Sequence, residues 1–238
     1  MISLIGWAVA WIHIKSHWTL WLITLVIFGL WSSPIIVPVK IFIVFLHEFS
    51  HVLATWLTGG KVMALSISAQ QGGAVTSQGG NSFIIASAGY LGSLILGAMI
   101  FILALRAQID RWVVACLGGI MLILTLFYIR DLFSVAFCVV GGLLFLSAAL
   151  FLSRTINDIL LRVIGLTSMV YVPFDIFSDT LQRSHLRSDA RIIAETMGGP
   201  TLFWGGLWFV LSLIVIYFVL RVSLRTPSTL SPSDRASA

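Results

Sequence analysis

Charge is what this sequence has least of. Asp, Glu, Lys and Arg make up 10% of its 238 residues, hydrophobic residues 59%, and the mean hydropathy is +1.05. A soluble domain carries about 25% charged residues, so this composition excludes a soluble globular fold and leaves a polytopic membrane protein. Acids are especially scarce: nine in all, of which only Glu48 and Glu195 are glutamates. Cysteine is nearly absent. Cys116 and Cys138 lie in apolar runs without a CxxC partner, which excludes a disulfide framework and makes both apolar fillers. No basic cluster interleaved with aromatics occurs, so no nucleic-acid partner is expected. The first thirty residues lack a basic segment followed by a small-residue cleavage site, and no cleavable signal peptide is expected.

Long apolar runs are what the sequence has most of. A hydrocarbon core of about 30 Å takes ~20 residues of helix, so the length allows about six or seven spans and little else. An all-α membrane domain over residues 1–225 is expected, with a Ser- and Pro-rich disordered tail over 226–238. The spans fall at about 18–33, 39–57, 83–105, 112–129, 132–152, 159–177 and 202–220. Residues 2–14 form an interfacial segment, and His13 and His17 beside Trp18 read as an interfacial anchor. Pro34 and Pro38 separate the first two spans, Arg130-Asp131 reads as an ion pair at a tight turn, and Pro173 should kink or break the sixth. Ser188 and Asp189 are candidate caps of a short surface helix ending at Gly198. Between the second and third spans a glycine-rich stretch shows strand-like alternation around Leu65 and Val75, read as a loop or as a short hairpin tucked beside the second span. The basic residues divide six to eight across seven spans, which sets no orientation.

The second span carries the one pattern that demands an explanation, His47-Glu48-Phe49-Ser50-His51. Positions i and i+4 share a helix face about 6 Å apart along the axis, so both imidazoles can reach one metal ion while Glu48 serves as a base rather than a ligand. With five His and two Glu in the chain, the pattern arises by chance about once in a thousand shuffles. Two histidines and a carboxylate inside a hydrocarbon span also cost several kcal/mol, which selection tolerates for function. The chemistry this points to is hydrolysis by zinc-activated water, with Glu48 as general base.

A catalytic zinc takes three protein ligands, so a third must come from another helix. Asp175, near Pro173 at the end of an apolar run, is the first candidate, with Asp179 and Asp131 as alternatives.

His47 to His51 within a span, Leu57-Thr58-Gly59-Gly60, Gly73-Ala74-Val75-Thr76 and Ala88-Gly89-Tyr90-Leu91-Gly92 resemble the site-2-protease-type intramembrane metalloproteases, most of all a small branch found in bacteria and plants. Ser188-Asp189-Ala190, Gly198-Gly199-Pro200 and the Trp204–Trp208 stretch extend the resemblance over about residues 41–215. It implies an intramembrane zinc endopeptidase cutting membrane-spanning substrates, with His47 and His51 as ligands of one Zn2+ per chain and Glu48 as catalytic acid/base. Better-known members take the third ligand from an Asp-Gly pair two spans after the metal helix; no Asp-Gly pair occurs here, and Asp175 comes later. A multi-pass protein of the cell membrane, with a membrane-protein substrate and the lipid bilayer as partners, is the expectation. The alternative is a catalytically inactive relative acting as a transporter or scaffold.

Overall fold

The computed structural model describes residues 18–106, 108–183 and 186–224. The His13/His17 pair and the 226–238 tail lie outside them. Eight helices and one hairpin follow in order: α1 (Trp18–Gly29), α2 (Val37–Leu57), β1 (Lys61–Ile67), β2 (Gly73–Gln78), α3 (Ser82–Arg106), α4 (Asp110–Tyr128), α5 (Leu132–Phe151), α6 (Arg154–Phe177), α7 (Asp189–Met197) and α8 (Thr201–Leu224). Six of the described helices are long and apolar enough to cross a membrane. The protein is thus an all-α polytopic integral membrane protein, with six such helices among the described residues. Of the expected first span, 18–33, α1 covers Trp18–Gly29, and these 12 described residues rise about 18 Å.

Pro34 and Pro38 set where α2 begins. Ser33 caps a single 3-10 turn, Pro34–Ile36, by accepting the Ile35 N–H at 3.2 Å, and this turn runs straight into α2. Both prolines fall at helix starts, where a missing N–H costs nothing. The helix they start is the centre of the molecule. Its run from Ile41 to Leu46 is buried, and α3, α6 and both strands pack on it.

Glycine permits a close helix crossing of α3 on α6. A Cβ on Gly165 would lie 2.7 Å from the Gly97 carbonyl oxygen, so only a missing side chain allows the backbones to meet there. Ser168 Oγ donates to the Ser93 carbonyl across the same seam at 2.9 Å. At the far end Arg162 and Asp158, both buried, pair at 2.8 Å, and Arg162 Nη2 approaches the Ala104 carbonyl at 3.5 Å, tying α6 to the end of α3.

The glycine-rich stretch is the hairpin. β1 and β2 pair antiparallel with Leu65 opposite Val75, and Val62, Leu65 and Ile67 of β1 are buried. Ser134 of α5 clamps β1: its Oγ accepts the Ile67 N–H at 2.8 Å and donates to the Ile67 carbonyl at 2.9 Å. Among the described residues β2 has β1 on one side and no strand on the other, so its outer edge carries no strand partner there.

Three local expectations change. Arg130 and Asp131 do not pair with each other. Arg130 donates to the carbonyls of Thr125, Leu126, Phe127 and Ile129 at the end of α4, whereas Asp131 caps α5 by accepting the Ser134 N–H at 2.9 Å. Each charge thus satisfies the orphan groups of one helix end. Pro173 does not break α6, which continues to Phe177 and then widens into a π-helical turn at Ser178–Gln182, closed by the Arg183 N–H on the Ser178 carbonyl at 2.8 Å. Cys138 is buried as expected, but Cys116 is exposed on α4.

Candidate metal centre

On α2 the i, i+4 spacing does what helix geometry requires. The rings of His47 and His51 stand 4.9 Å apart, and both Nε2 atoms face one carboxylate oxygen, Oδ2 of Asp189, at 3.0 and 3.3 Å. The three ligand atoms fall within 4.8 Å of one another, and this is the one such group among the described residues.

Asp189 arrives by way of α7. Ser188 caps that helix, accepting the Arg191 N–H at 3.3 Å, as the sequence led one to expect. Asp189 is not a solvated first-turn acid, however. Ala190 and Ile193 are buried, and Asp189 shares the inward face with Ile193 at i+4, so packing α7 onto α3 and α8 turns its carboxylate into the bundle. That face periodicity, with an acid at its first position, was the sequence signal for this residue.

Asp175 occupies a different place. Its nearest oxygen is 3.9 Å from Nδ1 of His47, the ring nitrogen opposite the one facing Asp189, and its other oxygen is 3.8 Å from Arg183 Nη2. Asp179 accepts the Tyr90 hydroxyl at 2.7 Å and pairs with Arg183 at 2.9 Å. Asp131, as a helix cap, is engaged elsewhere. The structure therefore brings His47, His51 and Asp189 together, and keeps Asp175 and Asp179 behind His47. The order of acids along the chain does not reveal this, because the backbone turns back between α6 and α7.

Two observations test whether these residues suit a cation. Oδ2 of Asp189 and Oε2 of Glu48 are buried without a hydrogen-bond partner, a costly state for carboxylate oxygens unless a cation or water meets them. Moreover, Nδ1 of His51 lies 2.7 Å from the Ile85 carbonyl, which can only accept. Nδ1 therefore donates to that carbonyl, and Nε2 is the nitrogen of this ring that a metal would take. The donor set of two imidazoles and one carboxylate suits zinc.

The glycines of the motifs make room for this group. A Cβ on Gly89 would collide with Asp189 Oδ2 and His47 Nε2, and one on Gly73 would collide with the Glu48 carboxylate. Gly92 sits against Ser50 one helical turn along, so α3 approaches α2 closely at the level of His47 and His51. Packing, the ordinary explanation for small residues in a span, and the site thus coincide at Gly89.

The site opens into a cleft of about 770 Å³, bordered by His47, Glu48, the β2 stretch, Tyr171, Asp175 and Asp189. No curated protein and no solved structure matches the chain. A family model described as Peptidase M50B-like does match, over residues 20–219, a span that takes in the whole His47–His51 motif, the hairpin and Asp189. The protein belongs to the Peptidase M50B-like family.

Proposed function

We propose that this protein is an intramembrane zinc endopeptidase of the cell membrane that hydrolyses peptide bonds of membrane-spanning substrates. The observation that carries the reading is the convergence of His47 Nε2, His51 Nε2 and Asp189 Oδ2 beside the unpartnered carboxylate oxygen of Glu48. His47, His51 and Asp189 hold the ion. When bound, zinc supplies a Lewis acid for the peptide carbonyl and acidifies a water molecule.

The remaining steps belong to the chain. Glu48 takes the proton from the attacking water and returns it to the leaving amine. Its Oε2 makes no hydrogen bond to the protein that this proton transfer would have to break. The Gly73 backbone lies against the Glu48 side chain and limits where the carboxylate can swing. The outer edge of β2 offers main-chain donors and acceptors to a substrate stretch in extended form, the form in which a peptide bond is open to attack. A substrate helix would have to unwind to occupy that edge, which confines cleavage to segments with weak helical character.

The test compares purified wild-type protein with Glu48→Gln for zinc content and for cleavage of a model transmembrane substrate. The substituted protein should retain zinc and lose cleavage. Zinc-free wild-type protein, or undiminished cleavage by Glu48→Gln, would return the protein to the non-catalytic reading.

A further inference from the structure

We propose that Asp175 is a positioning residue of the metal centre, a carboxylate that orients His47 through its Nδ1 and does not itself ligate. The inference rests on the zinc reading above and assigns a role within it.

The two histidines present the same pattern with different partners. Each directs Nε2 at Asp189, and each has an acceptor at its other nitrogen. For His51 that acceptor is the Ile85 carbonyl at 2.7 Å, whereas for His47 it is the Asp175 carboxylate at 3.9 Å. A ligand must share the ion with both Nε2 atoms; Asp175 lies on the Nδ1 side of the His47 ring and outside the converging group. At 3.9 Å the contact is longer than a hydrogen bond, so in this arrangement it is a charge-to-dipole attraction. That attraction strengthens once Nε2 faces a cation, because the ring then carries positive charge.

Asp175 is held in place from behind. Arg183 lies 3.8 Å from Asp175 and 2.9 Å from Asp179, and its Nε donates to Ser178 Oγ at 3.0 Å. Asp179 in turn accepts the Tyr90 hydroxyl, and the Tyr90 ring packs edge-on against His47 with centroids 5.5 Å apart. The π-helical turn after α6 brings Arg183 back over both acids. His47 is thereby bounded by an aromatic edge and by a carboxylate whose other oxygen faces Arg183. Once a bound cation draws the ring N–H within hydrogen-bond reach, such a carboxylate holds the imidazole tautomer and raises the basicity of the ligating nitrogen, and losing one costs about 10- to 100-fold in metal affinity.

The experiment uses the full chain in detergent, with zinc affinity read by competition against a chromogenic chelator and the ligand set read from the visible spectrum of the cobalt(II) form. Asp175→Asn, Asp175→Leu and Asp189→Ala are compared with wild type, and thermal unfolding checks that each is folded. Asp175→Leu should bind about 10- to 100-fold more weakly, and Asp175→Asn, which keeps an acceptor, should fall between it and wild type. Both should keep the wild-type cobalt spectrum, since the ligands are unchanged, whereas Asp189→Ala should alter it. Asp175→Asn is isosteric and carries the test alone if Asp175→Leu does not fold. Wild-type affinity in the Asp175 variants would overturn the inference, and a cobalt spectrum in Asp175→Asn changed as in Asp189→Ala would make Asp175 a ligand instead. If wild type binds no metal, or binds as Asp189→Ala does, the zinc reading itself fails.

Discussion

Gly89→Ala should remove the metal and leave the fold intact. The added methyl would collide with Asp189 Oδ2 and His47 Nε2 and stand 2.6 Å from His47 Cε1, where ordinary carbon contacts are about 3.5–4.0 Å. Relief requires either the ring or the carboxylate to retreat by about 1 Å. Metal–ligand distances hold within about 0.2 Å, so a shift of that size breaks the ligand set. The backbone has the opposite preference. Gly89 lies inside α3, where alanine is favoured over glycine by about 1 kcal/mol, so helix stability does not fall on that account. Zinc content by plasma mass spectrometry, with thermal unfolding of the same detergent-solubilised sample, separates the two effects. The expected result is a folded protein with less than a tenth of the wild-type zinc. Stoichiometric zinc at wild-type affinity would show that the group around Gly89 is not the metal centre.

Gly73→Ala places a methyl against the Glu48 carboxylate, 2.6 Å from its Cγ, and should slow cleavage by about 100-fold while zinc content stays at one per chain; assay of both on one preparation checks it. Arg162→Leu strands the buried Asp158 carboxylate and should destabilise the fold by about 3–5 kcal/mol, whereas replacing both partners with apolar residues should recover most of that loss in the same denaturation assay. Ser134→Ala leaves both the N–H and the carbonyl of Ile67 without their clamp, costing about 1–3 kcal/mol locally. Faster amide hydrogen exchange in β1 and a raised KM with little change in zinc content are the expected readouts.

Much of the fold was legible because its causes are local. Apolar runs of span length follow from composition, Pro34 and Pro38 mark the start of α2 through their missing N–H groups, and the strand alternation around Leu65 and Val75 marks the hairpin. The departures have local causes too, but ones that compete. Arg130 and Asp131 look like an ion pair until each is seen to satisfy a different helix end. Pro173 is a helix breaker by type, yet α6 runs through it to Phe177, and a π-helical turn follows from Ser178.

The sequence by itself determined the membrane class, the helix that carries His47, Glu48 and His51, and the chemistry those side chains can perform, because helical periodicity acts within a few residues. The tertiary structure decided which acid lies beside both imidazoles. Asp175 and Asp189 are equally available by composition, and their positions differ because folding α7 against α3 and α8 carries Asp189 to the Nε2 side of both imidazoles while Asp175 stays on the Nδ1 side of one. It also gave Gly89 its meaning, since a missing side chain reads as close packing until the neighbours that fill its space are known.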